Sequence, residues 1–260
     1  MRLRIIALMA VMAVMVVPGI AGAQENATVI VVHGIPGAEV NVTAGGDAII
    51  ENFTFQSTET LDLPAGTYPI GVSLTDGTEV YPEADVTVEA GKTYVAIAHL
   101  DADGNPAAGL FVEEVNTASI AAGEARLTAY HMAAAPAVDI LTGETVLFDA
   151  VPNGASGNID VPADTYPVVI AADADNSVVA FEGDVALAEG ANTLVFAIGS
   201  LADENFGPVV EVVSGLGESP EGVPSGEGPL GALDATLAMA ALAAGAVALG
   251  FGRVLSRRGA

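Results

Sequence analysis

Glu39-Val40-Asn41-Val42-Thr43 alternates polar and apolar residues, and Asp85-Val86-Thr87-Val88-Glu89 does so again. Runs of period two are half-buried strands. Val29 to Val32 is apolar without interruption, the pattern of a central strand. Turn signals separate these runs: Gly45-Gly46, Pro64-Ala65-Gly66, Asp76-Gly77, Ala90-Gly91 and Asp103-Gly104. Seven or eight short strands, with a turn roughly every 8–12 residues, describe a β-sandwich. No stretch of residues 24–213 carries a helical period.

The pattern occurs twice. At an offset of 98, His33 aligns with His131, and Ala38-Glu39-Val40-Asn41-Val42 with Pro136-Ala137-Val138-Asp139-Ile140. At the same offset Leu63-Pro64-Ala65-Gly66-Thr67-Tyr68-Pro69 aligns with Val161-Pro162-Ala163-Asp164-Thr165-Tyr166-Pro167. Val86-Thr87-Val88 then matches Val185-Ala186-Leu187, and Phe111 to Val115 matches Val209 to Val213. Anchors in one order at nearly one spacing, the Val86–Val185 match falling one residue later, indicate a duplicated domain. The reading is all-β: two tandem β-sandwich repeats at 24–116 and 127–213, with a short joint at 117–126. Each repeat is expected to bury its own core and to fold alone. The second should be the weaker, because Asp164 replaces Gly66, a turn glycine expected at positive φ.

His33-Gly34-Ile35-Pro36-Gly37-Ala38-Glu39-Val40-Asn41-Val42, followed by Leu63-Pro64-Ala65-Gly66-Thr67-Tyr68, resembles domain-of-unknown-function family 4397. The second repeat departs from it at Met132-Ala133-Ala134, where the Gly-Ile-Pro step is lost, and at Asp164. The resemblance implies an Ig-like or transthyretin-like sandwich in an exported protein, often in tandem copies. It supplies no catalytic residues.

The two ends differ in kind. Arg2 and Arg4 precede the apolar run Ile5 to Val17, and Ala21-Gly22-Ala23 fits a small-x-small cleavage site. Residues 1–23 thus read as a signal peptide. Residues 214–229, SGLGESPEGVPSGEGP, have the composition of a linker. Ala235 to Gly252 carries no charge; as a helix it would run roughly 27 Å, close to the hydrocarbon thickness of a bilayer. Residues 230–252 are therefore expected to be a single C-terminal transmembrane helix. Arg253, Arg257 and Arg258 follow in the tail 253–260 and place it on the cytoplasmic side, with the repeats extracellular.

The stretch 24–229 holds two basic residues, Lys92 and Arg126, against 32 acidic ones, a net charge of −30. Such a surface repels phosphate backbones, so nucleic acid is excluded as a partner. It attracts cations. The chain has no cysteine, so neither repeat can rely on a disulfide.

Chemistry-bearing motifs are sparse. There is no GxSxG, no HExxH and no phosphate-binding Gly loop. His33 and His131 are repeat equivalents, expected in different domains, and His99 stands alone. Tyr68 and Tyr166 follow a tight turn and are expected to tie their hydroxyls to nearby backbone. Asp101-Ala102-Asp103-Gly104-Asn105 resembles the opening of a calcium loop, but Pro106 and Val112 break the full pattern. Asp173 and Asp175 form a second acidic turn. Asp101, Asp103, Asn105, Asp173 and Asp175 are the calcium candidates; no catalytic or cofactor residue is expected. Asn26-Ala27-Thr28, Asn41-Val42-Thr43 and Asn52-Phe53-Thr54 fit the glycosylation sequon. The expected function is a non-enzymatic cell-surface structural or interaction protein, with an unknown surface or extracellular partner. The alternative is a ligand-binding module for a cation or glycan.

Overall fold

The computed structural model describes residues 25–218. The expected signal peptide, transmembrane helix and cytoplasmic tail lie outside them. The described residues form strands and turns without a helix, so they contain no helix long and apolar enough to cross a membrane.

The first half contributes β1 (Ala27–His33), β2 (Val40–Ala44), β3 (Asp47–Phe53), β4 (Thr58–Leu63), β5 (Gly66–Leu74), β6 (Glu79–Val88), β7 (Thr93–Ala98) and β8 (Phe111–Glu114). The second contributes β9 (Glu124–His131), β10 (Val138–Thr142), β11 (Thr145–Val151), β12 (Ala155–Pro162), β13 (Asp164–Ala172), β14 (Asp175–Leu187), β15 (Asn192–Ile198) and β16 (Gly207–Val213). Each half folds into two four-stranded sheets. The first has an outer sheet β3-β2-β5-β6 and an inner sheet β4-β1-β7-β8; the second repeats the order as β11-β10-β13-β14 and β12-β9-β15-β16. In each inner sheet the two central strands, β1 with β7 and β9 with β15, run parallel.

Alternation along the central strands decides what touches what. In β1, Val29 and Val31 point into the first sandwich, with Tyr94, Ala96 and Ala98 of β7. Ile30 and Val32 point the other way, with Val95 and Ile97. In the second half Leu127, Ala129, Val195 and Ala197 fill their own sandwich. Tyr130, Met132, Leu194, Phe196 and Ile198 instead meet Ile30, Val32, Val95 and Ile97 in a third core. The two inner sheets thus pack on each other, and the repeats form four stacked layers. Each repeat has its own core, and the third core joins them: Phe196, Ile97, Leu194 and Val32 are fully buried in the layer that both halves line.

The asymmetry at Gly34 has a steric cause. A Cβ there would lie 2.9 Å from the Ala98 carbonyl oxygen and 3.0 Å from Ile198 of the other half. The Gly-Ile-Pro step thus lies where the chain passes against the partner sheet. Its counterpart Met132 is fully buried and fills the same layer from the other side.

The expectation for Gly66 fails. It lies in extended backbone at the start of β5, and a Cβ there would meet only the Tyr68 ring, at 3.6 Å. Asp164 fits the equivalent place and its carboxylate accepts the Thr165 N–H at 2.7 Å. The other turn glycines singled out, Gly45, Gly46, Gly77, Gly91 and Gly104, all take positive φ. Tyr68 and Tyr166 donate to the carbonyls of Pro64 and Pro162, at 2.7 and 2.8 Å.

The chain stays paired beyond β16. Ile120 of the joint donates to the Leu216 carbonyl at 2.8 Å and accepts from Glu218 at 3.0 Å. The start of the stretch read as linker is therefore anchored beside the joint.

The first sandwich contains an apolar cavity of about 40 Å³, lined by Val42, Leu61, Ile70 and Ala96 among others. The second sandwich carries Val195 where the first has Ala96, and Ile140 where it has Val42. Ala96→Val is expected to stabilise the protein by up to about 1 kcal/mol, since cavity volume costs roughly 24 cal/mol per Å³. Urea denaturation checks this; a destabilised variant would mean that the cavity walls cannot accept a methyl group on that side.

Candidate functional site

Seven chemistry-bearing side chains singled out from the sequence are already engaged within the fold. His33 is fully buried; its Nε2–H donates to the Ala38 carbonyl at 3.0 Å, and its Nδ1 accepts from the Ile35 N–H at 3.4 Å. His131 repeats the first contact, donating to the Pro136 carbonyl at 2.9 Å, but its buried Nδ1 has no partner among the described residues. His99 donates from Nδ1 to the Leu100 carbonyl at 2.9 Å. Its ring stands edge-on to Phe111, Phe111 to Tyr130, and Tyr130 stacks on Phe196 with centroids 4.8 Å apart. This aromatic line threads the layer between the sandwiches.

Repeat equivalence separates His33 from His131, but His99 and His131 come near each other at the junction, where a charge on His99 disfavours one on His131. Asn153 clasps the same place: its amide donates to Leu100 of the first half at 3.0 Å and to Ala133 of the second at 2.7 Å.

All three histidines have pKa values lowered chiefly by burial, with backbone acceptors opposing the shift. Folded-state values below the unfolded one make the unfolded chain the stronger proton binder as pH falls. Stability is then unaffected above the unfolded pKa of about 6.5 and declines below it. The urea midpoint is expected to drop between pH 7 and pH 5, with a difference of up to three bound protons. Exposed Asp76 and Asp175, whose pKa values are lowered by hydrogen bonds to Thr78 and Ser177, act only in the lower carboxylate range. A midpoint unchanged from pH 7 to pH 5 would refute the role of the buried imidazoles.

The calcium candidates are arranged as turns. One Asp101 carboxylate oxygen accepts the N–H groups of Asp103 and Asn105, at 3.0 and 2.8 Å. Asp175 likewise accepts the Ser177 N–H and hydroxyl, at 3.0 and 2.6 Å. Among the described residues, the carboxylates that do converge are Asp139, Asp149 and Asp173, with oxygens within 4.8 Å of one another. Only Asp173 was singled out from the sequence. Asp139 and Asp149 meet through the β10–β11 hairpin, which period-two patterning could have paired.

Asp139 also has a structural task. Its Oδ1 accepts the Ala150 N–H at 2.8 Å, where Ala150 takes a φ of 49° beside an irregularity in the hairpin. In the first half Asn41 does the same for Asn52, at 3.0 Å and a φ of 53°. An amide therefore suffices. Asp139→Asn is expected to be neutral or mildly stabilising, because it relieves repulsion with Asp149 and Asp173. Asp139→Ala leaves the Ala150 N–H without its acceptor and should cost about 1–3 kcal/mol. Thermal melts of both variants, with and without calcium at fixed ionic strength, check this. A calcium-specific shift in the wild type that Asp139→Asn abolishes would show that the carboxylate does more than cap.

The sequons are also placed unequally. Asn26 and Asn52 are exposed, whereas Asn41 is half-buried in the middle of its sheet and holds the Asn52 N–H.

Residues 27–141 match the family model described as Domain of unknown function (DUF4397). The match runs from β1 into β10, so it crosses the joint and includes both His33 and His131. No curated protein matches the chain. The remaining strands, β11 to β16, repeat the strand order of β3 to β8 outside the matched residues.

Proposed function

We propose that this chain is an exported, membrane-anchored, non-enzymatic surface protein: two copies of the same Ig-like or transthyretin-like module, fused through their inner sheets into one rigid acidic unit that meets an extracellular partner. The observation that carries this reading is where the reactive side chains are spent. The histidines are buried and bonded to backbone, Asp101 and Asp175 cap their own turns, and Tyr68, Tyr81 and Tyr166 bond to carbonyls. The two basic residues are paired as well, Lys92 with Glu114 and Arg126 with Asp160. Carboxylates that are not so engaged, and exposed valines such as Val179 and Val212, are left at the surface, which suits display and contact better than acid–base work.

The alternative, a cation-binding module, draws on Asp139, Asp149 and Asp173. The two readings part on calcium: the surface-module reading gives a melting temperature that depends on ionic strength alone.

Topology is the direct test. Protease added to intact cells is expected to remove residues 25–218 and to leave a small membrane-bound fragment. Full protection of the sandwiches in intact cells overturns the surface location. Capture of a defined partner by the purified ectodomain, lost on charge reversal of exposed carboxylates, would support the interaction role.

A further inference from the structure

Asn153-Gly154 is the only Asn-Gly pair in the chain, and it sits where the two halves meet. The Asn153 amide donates to the Leu100 carbonyl of the first half and to the Ala133 carbonyl of the second, at 3.0 and 2.7 Å. The Gly154 N–H donates to the His131 carbonyl at 2.7 Å. Both nitrogens are therefore held by carbonyls. The turn itself does not demand this pair. Its equivalent in the first half, Phe55-Gln56, makes the same contact, from the Gln56 N–H to the His33 carbonyl at 2.9 Å. Gln56 takes a φ of 66° there, against 78° for Gly154.

An Asn-Gly pair is chemically prone to modify itself, because glycine has no Cβ to hinder the approach of its nitrogen. Freed from its hydrogen bond, the Gly154 nitrogen loses its proton to solvent base and attacks Asn153 Cγ. A C–N bond forms, the Cγ–Nδ2 bond breaks, and ammonia leaves a cyclic imide. Water then adds to either imide carbonyl, and the ring reopens as aspartate or isoaspartate. Ionised, neither product has a side-chain hydrogen to give to Leu100 and Ala133, and isoaspartate also lengthens the main chain at the turn. We infer that Asn153-Gly154 is a modification site gated by the junction. It stays asparagine while the halves are clasped, converts when the junction opens, and cannot restore the clasp afterwards. Opening followed by conversion acts as a ratchet, which marks permanently the chains whose shared layer has come apart.

The test uses the full-length chain, purified in detergent and held in mildly alkaline buffer. One sample has no urea, a second has urea below the unfolding midpoint, and a third has urea above it. Peptides are weighed by mass spectrometry and the change is located by fragmentation. Deamidation raises the mass, whereas isomerisation at the exposed turns Asp76-Gly77 and Asp103-Gly104 does not. Conversion at Asn153 is expected to be faster by about tenfold or more in the unfolded chain, because modification through an opening tracks the open population. It should also rise with urea below the midpoint, since an opening of the junction exposes surface. Equal rates in the native and unfolded chain overturn the protection. A native rate that ignores urea confines the opening to the turn and overturns the gating by the junction. The product is tested in two ways. An aged, partly converted sample is refolded and treated briefly with protease, and converted chains should be cut first. Asn153→Asp should lower the urea midpoint. Equal resistance of converted and unconverted chains, or a wild-type midpoint for the variant, overturns the loss of the clasp.

Discussion

Phe196→Ala is expected to destabilise both sandwiches together, by about 3–5 kcal/mol. Phe196 belongs to the second repeat, yet its ring is fully buried in the layer shared with the first, stacked on Tyr130 and packed among Ile30, Val32, Val95 and Ile97. Truncation loses the transfer free energy of the ring and leaves a cavity between two sheets that cannot easily close, because Gly34 already sits against Ile198. Urea denaturation followed by circular dichroism should give one transition at a lower midpoint. Hydrogen exchange supplies the decisive readout: amides of β1 and β7, in the repeat that was not mutated, should exchange faster. If they keep wild-type protection while β9 and β15 lose it, the halves are energetically independent and the shared layer is only contact.

That layer was half legible in the sequence. The alternating runs, the turn glycines and the two tyrosines marked the strands and turns, since period two and turn chemistry are local, but not the pairing, in which β1 runs parallel to β7 and β9 to β15. Val29 to Val32 was also readable as a strand buried on both sides. The second covering surface was not readable, because it comes from residues nearly a hundred positions away, and an uninterrupted apolar run does not name its partner. Gly66 misled for the opposite reason: a Pro-Ala-Gly sequence suggests positive φ, but the glycine already lies in the following strand. The acidic turns attracted attention as compact motifs, whereas Asp139, Asp149 and Asp173 are brought together only by the fold. Of the two basic residues, Arg126 holds the joint, while Lys92 pairs with Glu114 at the end of β8.

Arg126→Met is expected to cost about 3 kcal/mol or more. The Arg126 side chain is 5% exposed. Its Nε and Nη2 donate to the two Asp160 oxygens at 2.7 and 2.8 Å, and its Nη1 to the carbonyls of Asn116 and Ala118 at 3.2 and 3.0 Å. One planar guanidinium thus satisfies a carboxylate on β12, the last carbonyl of the first repeat and one carbonyl of the joint, a set of acceptors that a lysine cannot reach at once. Asn192 supports the same place, donating to the Asn116 carbonyl at 3.1 Å while accepting from Thr128 at 2.8 Å. Removing one partner of a buried pair costs about 3–5 kcal/mol, and the lower end applies because the Asp160 side chain keeps 35% of its exposure and can be rehydrated. The carbonyls of Asn116 and Ala118 add to the loss, since each gives up its guanidinium donor. Replacing both partners separates the terms: Arg126→Met with Asp160→Leu removes the stranded carboxylate and should recover part of the stability, as apolar replacements of buried pairs do. Urea midpoints of the two variants measure the difference. A single variant within about 1 kcal/mol of wild type, or a double variant worse than the single, would mean that the arginine does not pin the joint and that the apolar layer alone holds the halves together.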